Sequence, residues 1–419
     1  MAGAVAGGRG IWDETSPLRQ VIVHRPGPEL ERLTPETRER FLFDEVLWRD
    51  RAATQHDLFT SLLRSRGVEV LELTALLIDL LEQPPARHEL LRAALEPAIL
   101  GDIAVQDLSG VLTEMPSQAL VDVLVAGITV AELRELGVAP RSISLQRAGS
   151  DDLVLDPLPN HLFTRDPSAW IGDVAAISPM RHRARRRESL HLETIYRRHP
   201  LFTGSGAPAR ILAPDLGQAT TATVEGGDVM MLSPRTVAVG LSERSSAVGI
   251  ERLAAGLLEH GRAEKVIAVA LPHRRSMMHL DTVTTVIAPE TMLRYGPLGR
   301  LETFEITRAG GEITRAGGRL VTRARAADEM DTVLAEGLGV PSLRVITPPL
   351  DAYAAAREQW DDGCNVLALA PGTVVAYERA AATNDHLRSE GVEVLEFDGD
   401  ELGRGRGGPR CLTCPVARG

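Results

Sequence analysis

The chain has 419 residues, of which 44% are hydrophobic, and its net charge at pH 7 is −11. These values predict a globular protein that is large enough to bury a sizeable core. The sequence has no apolar run of the roughly 20 residues that a membrane-spanning helix needs, and the acidic charge disfavours nucleic acid as a partner. The chain has three cysteines, which are too few, and odd in number, for a disulfide framework. This favours a reducing compartment, and we expect a cytoplasmic location.

The first residues are small and flexible, and residues 1–10 are predicted to form a disordered leader. The remainder, residues 11–419, is interpreted as one domain. Within it one pattern recurs: an apolar run, then a small or polar residue, then a proline. Three of these prolines, Pro179, Pro234 and Pro289, are equally spaced. This self-similarity indicates a repeated supersecondary unit.

Two of these units can be assigned element by element. The first is predicted as strands at residues 230–232 and 236–239, a helix at 247–260 and a strand at 266–270. The second is predicted as strands at 366–369 and 374–377, a helix at 380–389 and a strand at 392–397. Each helix ends at a glycine, which is a usual stop signal. Five units of this order would close a ring without an exposed sheet edge, so the predicted fold is an α/β ring of five ββαβ units.

A helical insertion in the ring is predicted at residues 80–148. This segment lacks strand alternation, shows helical spacing at Leu90, Leu91 and Leu95, and is broken by prolines such as Pro84 and Pro85. The sequence leaves open whether the insertion is a lid, an oligomer contact or neither. It also leaves open whether the protein forms a homo-oligomer.

Four short segments outside the repeated strands concentrate acids, amides, a histidine and a cysteine. They are residues 160–167, Glu225-Gly-Gly-Asp228, His279-Leu-Asp281 and the C-terminal segment that contains Cys411. Loops on one face of a ring of repeats converge at its axis, so these segments could share a site. Each also has a purely structural interpretation, as a turn before proline, a hairpin turn, a core histidine or a frayed tail.

Together the segments carry the chemistry of a cysteine reacting with a planar cation. Arg406 and Arg410 are expected to favour the thiolate of Cys411. We place His279 and Asp281 on a strand, where both side chains would share one face and the histidine could move protons. Carboxylates pair bidentately with a guanidinium group and concentrate positive charge on its carbon, which a thiolate can attack.

Two alternatives remain at this point. A metal hydrolase could be built from Glu225, Asp228, His279 and Asp281, although no recognised zinc spacing supports it. Cys411 and Cys414 have the spacing of a redox or metal pair. Because no second cysteine pair exists, we interpret Cys414 as a structural thiol.

The ordered set of motifs resembles the arginine deiminase family, which is part of the guanidine-modifying superfamily with the pentein fold. The resemblance runs nearly end to end and is carried by residues 16–27, 42–48 and 163–166, residues 184–188, Glu225-Gly-Gly-Asp228, His279-Leu-Asp281 and Arg406-Gly-Gly-Pro-Arg-Cys411. It implies a five-bladed α/β propeller with a helical insertion. It also implies hydrolysis of L-arginine to L-citrulline and ammonia through an amidino-cysteine intermediate, in arginine catabolism and without a cofactor or metal.

The resemblance further implies a role for each site residue. Cys411 would be the nucleophile and His279 the general acid and base, with Glu225 as its support. Asp166 and Asp281 would bind the guanidinium group. The implied substrate-binding residues are Asn160, Phe163, Arg185, Asp228, Arg244 and Arg406, among which Asn160, Arg185 and Arg244 would receive the α-amino and α-carboxylate groups. Pro409 and Arg410 stand where some members have Gly-His, and the proline is expected to stiffen the loop of Arg406.

Three alternatives lie close to this assignment: an agmatine deiminase, an amidinotransferase and a non-catalytic pentein that binds a ligand. The presence of Cys411, His279 and Asp166 argues against the third. The expected partner is the small molecule L-arginine, and release of ammonia from free arginine would separate the alternatives.

Overall fold

A computed structural model describes residues 9–96, 100–204, 209–213, 221–309 and 319–419. Residues 1–8 of the predicted leader lie outside the described residues. Within the described ranges, none of the helices is both long and apolar enough to cross a membrane.

The described strands form six sheets. The strands are β1 (Leu18–Val23), β2 (Glu69–Glu72), β3 (Ile128–Thr129), β4 (Leu153–Leu155), β5 (Ser168–Ile171), β6 (Val174–Ile177), β7 (Arg210–Leu212), β8 (Val229–Ser233), β9 (Thr236–Leu241), β10 (Lys265–Ala270), β11 (Thr284–Ala288), β12 (Thr291–Arg294), β13 (Thr303–Arg308), β14 (Leu320–Arg325), β15 (Arg344–Ile346), β16 (Leu367–Ala370), β17 (Thr373–Tyr377), β18 (Glu393–Phe397) and β19 (Cys414–Arg418).

The described α-helices lie between these strands and pack on the sheets. They are α1 (Arg49–Ser65), α2 (Leu73–Leu81), α3 (Pro84–Ala94), α4 (Asp102–Glu114), α5 (Ser117–Ala126), α6 (Val130–Glu135), α7 (Ile143–Arg147), α8 (Arg186–Arg198), α9 (Pro200–Thr203), α10 (Ala247–Glu259), α11 (Met330–Leu338), α12 (Ala352–Trp360), α13 (Ala381–Ser389) and α14 (Asp400–Gly403).

Five of the six sheets share one connectivity. In the sheet β8-β9-β10, β8 is antiparallel to β9, α10 follows, and β10 is parallel to β9. The same order occurs in β5-β6-β7, β11-β12-β15 and β16-β17-β18, where α8, α11 and α13 precede the parallel strand. The hairpin β13-β14 extends the sheet of β8 to β10. The two units assigned from the sequence are confirmed, with element bounds within one or two residues of the prediction.

The fifth of these sheets joins the two ends of the chain. β19 pairs antiparallel with β1, and β1 pairs parallel with β2, with α1 between them in the sequence. Pairing with a buried strand removes the fraying that is usual at a terminus. The C-terminal segment is therefore fixed in place, and the interpretation of Cys411 as part of a frayed tail is wrong.

Local sequence explains the sheet of β8 to β10 and its helix. β8 to β10 are nearly continuous runs of apolar residues that are buried on both faces, as expected for strands covered on two sides. Ser246 caps the start of α10 by accepting a hydrogen bond from the amide of Gly249. Ile250, Ala254 and Leu257 then recur at helical spacing and are buried against the sheet.

The helices α2 to α7 occupy the chain between β2 and β4, apart from the short strand β3. They begin at Leu73 rather than at residue 80, because Leu73, Leu76, Leu77 and Leu80 already have the spacing of one helical face and are buried. Their apolar faces join the largest core cluster, together with residues of α8 and of the sheets β5-β6-β7 and β8-β9-β10.

Candidate active site

The four segments singled out in the sequence meet at one place, although they are far apart along the chain. The amide of Gly226 donates to the carbonyl of Asp166 (2.9 Å), and the amide of Arg165 donates to the carbonyl of Cys411 (3.2 Å). Short 3-10 turns at Gly226–Asp228 and Leu280–Thr282 present the second and third segments. The five predicted catalytic residues are all buried: Cys411, His279, Asp166, Glu225 and Asp281.

Cys411 is held by its backbone and faces a carboxylate. Its amide donates to Oδ1 of Asn365 (3.0 Å), and its Sγ lies 3.7 Å from Oδ2 of Asp281. Burial raises the pKa of the thiol well above its usual value, Asp281 and Asp166 raise it further, and Arg410 lowers it only in part. Arg410 thus favours the thiolate, as expected, but burial and the carboxylates outweigh it, and Arg406 is not among the groups that shift this pKa. The resting form is the thiol.

The Gly-rich loop before Cys411 is closely packed. A Cβ atom on Gly407 would clash with the ring of Phe163 and lie 3.0 Å from Cβ of Cys411. A Cβ atom on Gly405 would lie 2.8 Å from the same ring. The hydroxyl of Tyr377 donates to the carbonyl of Gly407 (2.9 Å). The glycines thus let the loop approach Phe163, which belongs to the same buried apolar cluster as Cys411.

His279 lies between two carboxylates. Its Nε2 is 2.8 Å from Oε2 of Glu225, and its Nδ1 is 3.5 Å from Oδ1 of Asp166. Burial lowers the pKa of His279, but the charges of Asp166, Glu225 and Asp228 outweigh it and raise this pKa to about 9. The imidazole therefore carries a proton at neutral pH and is able to donate it.

The predicted relation between His279 and Asp281 is wrong. His279 is not on a strand but immediately precedes the 3-10 turn Leu280–Thr282, and a turn does not keep the alternation that would bring both side chains to one face. Asp281 is instead paired with Arg410, with Nη1 and Oδ2 2.6 Å apart. The second carboxylate partner of His279, after Glu225, is Asp166.

Asp166 and Asp281 each use one carboxylate oxygen inside the protein. Nη1 of Arg185 is 2.6 Å from Oδ2 of Asp166, and Nη1 of Arg410 is 2.6 Å from Oδ2 of Asp281. Oδ1 of each carboxylate is buried and has no hydrogen-bond partner among the described residues, although Oδ1 of Asp166 lies 3.5 Å from Nδ1 of His279. We call these two atoms the open oxygens. A planar cation with several N–H groups is the type of ligand that two such oxygens fit.

Asp228 has a different position from the one predicted. Oδ2 accepts hydrogen bonds from the hydroxyls of Ser242 (2.7 Å) and Ser245 (2.6 Å), and Oδ1 accepts one from the amide of Leu280 (2.8 Å). Both oxygens are thus engaged within the protein. These bonds support the turn that follows His279, and the substrate contact of Asp228 stays a prediction.

The two arginines that were predicted to bind a carboxylate differ in how firmly they are held. The guanidinium group of Arg185 donates to Glu188, to Asp166 and to the carbonyls of Asn160 and Phe163. A substrate carboxylate could reach it only by displacing one of these acceptors. Arg244 has longer contacts, 3.4 Å to Oε2 of Glu225 and 3.6 Å to Sδ of Met278, and is therefore easier to recruit.

Asn160 and Arg406 complete the predicted set. The side-chain amide of Asn160 donates to the carbonyl of Phe41 (2.7 Å). Arg406 is buried, with its Cζ 3.7 Å from the ring centre of Trp360, and none of its guanidinium nitrogens has a hydrogen-bond partner in the described part of the chain. Its role as a substrate contact stays a prediction.

Three residues of this site, Asn365, Glu14 and Asp362, were missed by sequence reasoning. Asn365 holds the amide of Cys411. Glu14 is joined to Asp281 through Arg410, with Nη2 of Arg410 3.2 Å from Oε2 of Glu14. Asp362 lies beside the site as a buried carboxylate. For Asp362 and Asn365 the only local signal was the polar, Gly-containing turn before β16, which is a usual position for functional residues.

The alternatives based on metal binding find no ligands here. Among the described residues, no group of three or more His, Cys, Asp or Glu side chains could hold a metal ion. Cys414 lies 3.7 Å from the carbonyl of Ser168 and from the hydroxyl of Tyr196, and it forms no disulfide. These contacts agree with a structural thiol.

The fold is similar to that of solved structures named as an amidinotransferase and a DDAH. An amidinotransferase from Microseira wollei is similar with a TM-score of 0.57 at 14% identity, covering 98% of this chain and 97% of that chain. A DDAH from Pseudomonas aeruginosa, solved with citrulline, is similar with a TM-score of 0.52 at 14% identity, covering 95% and 99%. These likenesses define the class as an α/β protein with the fold of the amidinotransferase and DDAH structures.

Sequence similarity defines the family within that class. The family model for arginine deiminase matches residues 39–418. The arginine deiminase of Rhodococcus opacus (strain B4) is 45% identical over 413 residues, which cover 98% of this chain and 97% of the relative. That of Mycobacterium tuberculosis (strain ATCC 25618 / H37Rv) is 44% identical over 407 residues, with 97% of each chain covered. The chain belongs to the arginine deiminase family, and the resemblance found in the sequence is confirmed.

Proposed function

We propose that the chain hydrolyses L-arginine to L-citrulline and ammonia, with Cys411 as the nucleophile. The observation that carries this proposal is the pair of open oxygens, on Asp166 and Asp281, beside a buried thiol and a protonated histidine. Both oxygens pair with the N–H groups of the substrate guanidinium. This pairing fixes the guanidinium carbon near Sγ of Cys411 and increases the positive charge on it.

Binding of the cation also activates the nucleophile. In the resting site, burial and the carboxylates hold the pKa of Cys411 far above neutral pH. A guanidinium placed on Asp166 and Asp281 offsets those negative charges, and an adjacent positive charge favours the thiolate. The thiol therefore loses its proton to solvent only when the substrate is in place.

The reaction then proceeds in two halves that balance. The thiolate forms an S–C bond to the guanidinium carbon, the imidazolium of His279 donates its proton to one terminal amino group, and that C–N bond breaks to release ammonia. The product is a positively charged amidino-thioether on Cys411. Neutral His279 next takes a proton from water, and the hydroxide adds to the same carbon. The C–S bond breaks, the hydroxyl proton returns to sulfur, and citrulline leaves.

Glu225 and Asp228 position the proton carrier in this scheme. Glu225 holds Nε2 of His279 at 2.8 Å, so that Nδ1 is the nitrogen on the side of Asp166. The pKa of Glu225 is lowered because Arg244 and the hydrogen bond from His279 outweigh its burial. Glu225 therefore stays ionised and favours the imidazolium form in the first half of the reaction.

We infer that the five sheets of shared connectivity are the blades of one closed ring. The sheet that joins β19 to β1 and β2 supports this, because it ties the first unit to the last segment of the chain. A single domain over residues 11–419, with the helices between β2 and β4 as an insertion, follows from the same arrangement. The three free, buried cysteines fit a reducing compartment, and we propose a cytoplasmic location.

Product analysis with two substrates tests the proposed function. Purified protein is incubated with L-arginine or with agmatine, with and without a chelator, and citrulline and ammonia are measured. We expect stoichiometric citrulline and ammonia from arginine, no effect of the chelator and little turnover of agmatine. Equal efficiency with both substrates would assign the chain to agmatine deiminase chemistry, and loss of activity with chelator would support a metal hydrolase.

A further inference from the structure

A cavity of about 490 Å³ lies outside the candidate active site. It is bounded by the last turn of α3, by β4 and by the start of α8, and none of its lining residues belongs to the candidate active site. Its described walls carry two carboxylates, Glu96 and Asp156, against five arginines, which are Arg40, Arg92, Arg183, Arg186 and Arg187. The cavity is therefore basic, although the chain as a whole has a net charge of −11.

Three of these arginines form no side-chain hydrogen bond and no ion pair with any described residue. They are Arg92 on α3 and the pair Arg183 and Arg186 at the start of α8. Arg183 begins a 3-10 turn, and the amide of Arg186 donates to its carbonyl. Residues three apart lie on one side of such a turn, so two like charges are neighbours there. Neighbouring like charges are destabilising unless an anion offsets them.

The other two arginines are engaged, but in different ways. Arg40 pairs with the carboxylate of Asp156. Arg187 donates to the carbonyls of Leu124 (3.1 Å) and Asp156, and it forms no ion pair with a described carboxylate. Burial lowers the pKa of Arg187 to about 10, because it outweighs the charges of Asp156 and Glu188. Four of the five arginines on the walls are thus without an ion pair among the described residues.

The chemistry of the walls indicates the class of ligand. Guanidinium groups bind phosphate oxygens through paired hydrogen bonds. A terminal phosphate group carries about two negative charges and three acceptor oxygens, so it can satisfy Arg183 and Arg186 together. A carboxylate has one charge and two oxygens, and water brings no charge that would offset the repulsion.

The cavity also has room and apolar surface for the rest of a molecule. Its volume is in the usual range for small-molecule sites, about 300–1,000 Å³. Leu153, Leu155 and Leu190 line it beside the arginines. A ligand that combines phosphate groups with an organic part fits both kinds of wall.

We propose that this cavity is a second binding site, which takes a phosphorylated small molecule. Arg183 and Arg186 bind a phosphate group from the side of α8, and Arg92 binds it from the side of α3. The apolar side chains contact the organic part. Binding at this site requires neither arginine nor the chemistry of Cys411.

Calorimetric titration with inorganic pyrophosphate tests the phosphate part of the proposal. The full-length wild-type protein is titrated at constant ionic strength in chloride, because screening by salt weakens charge attraction without specificity. We expect one saturable site per chain, and binding of citrate that is at least about 10-fold weaker. Absence of saturable pyrophosphate binding would overturn the proposal, and so would equal binding of citrate.

Variants on two walls of the cavity locate the site. Arg186→Gln and Arg92→Gln should each weaken pyrophosphate binding by about 10-fold or more, since each removes a charge-assisted contact. The matched control is Arg197→Gln, because Arg197 lies on the same helix as Arg186, outside the cavity, and pairs with Glu193 (2.8 Å). This control should bind pyrophosphate like the wild type.

The variants distinguish a built site from general attraction of anions. Unchanged binding in Arg186→Gln and Arg92→Gln would place the pyrophosphate elsewhere, and an equal loss in Arg197→Gln would mean an effect of net charge alone; either result overturns the proposal. If Arg186→Gln does not fold, Arg92→Gln decides, because Arg92 is exposed in the last turn of α3.

Discussion

The buried arginines of the site form two groups. Arg185 and Arg410 are saturated: each pairs with a catalytic carboxylate at 2.6 Å and with further acceptors. Arg406 is equally buried, yet its guanidinium has no hydrogen-bond partner among the described residues. Because a buried charge without an ion pair is costly, we expect the saturated arginines to hold the site together and Arg406 to be available to a ligand. The predictions below test this difference.

Removing a saturated arginine should have the largest effect on the protein. Arg410→Met leaves the carboxylates of Asp281 and Glu14 buried without this partner, so we expect a loss of about 3–5 kcal/mol in the free energy of unfolding, together with loss of turnover. Urea unfolding and citrulline formation measure the two effects. Arg388→Met, which removes a largely exposed ion pair with Glu396 (2.8 Å), is the control and should cost about 1 kcal/mol or less.

A wild-type urea midpoint in Arg410→Met would contradict this comparison. It would mean that Arg410 is as replaceable as a surface arginine, and that Asp281 keeps its position by other contacts. Arg406→Met should lower the urea midpoint far less than Arg410→Met and should lower kcat/KM for arginine, because its stacking on Trp360 is lost but no ion pair among the described residues is.

A smaller effect is expected in the loop that carries Arg406. Gly407→Ala adds a Cβ atom that clashes with Phe163 and crowds Cys411, so we expect a destabilisation of about 1–3 kcal/mol and a lower kcat. Gly403→Ala is the matched control, because its Cβ atom would lie 3.5 Å from the ring of Tyr377, an ordinary contact. Steady-state kinetics with arginine should show the control close to wild type. Similar kinetics for both variants would show that the loop adapts and that its packing does not position Cys411.

The mildest test changes only pH. The pKa of His279 is about 9 in the folded protein, above its ordinary value of 6.5. The imidazolium form of His279, paired with Asp166 and Glu225, stabilises the folded protein. This contribution is fully present below about pH 6.5 and is lost as the pH rises through about 9. We therefore expect kcat/KM to fall above about pH 9, and the thermal midpoint to fall in the same range. A kcat/KM that is constant to pH 10 would exclude His279 as the proton donor.

The sequence was sufficient for two of the repeated units and for the four segments that meet at the site. The two ββαβ units could be read because strands β8 to β10 and β16 to β18 are apolar runs separated by glycine and proline. Cys411, His279, Asp166 and Glu225 could be chosen because rare chemical groups stand in short motifs. These are local signals, which a single sequence contains.

Pairing between distant segments could not be read in the same way. The role of Arg410 was predicted from its sequence neighbour, Cys411. In the structure its guanidinium group pairs with Asp281, which is 129 positions away in the chain. The protonation state of Cys411 follows from burial and from three carboxylates brought together by folding. Asp362 was missed because a turn before a strand gives no indication that its carboxylate will be buried.

The central claim is that Cys411 carries the reaction covalently. Citrulline formation from L-arginine by Cys411→Ser, compared with Cys414→Ser, tests it most directly, since both thiols are buried but only Cys411 faces Asp281. The account predicts no detectable citrulline from Cys411→Ser and nearly wild-type turnover from Cys414→Ser. Turnover by Cys411→Ser at the wild-type rate would contradict the mechanism.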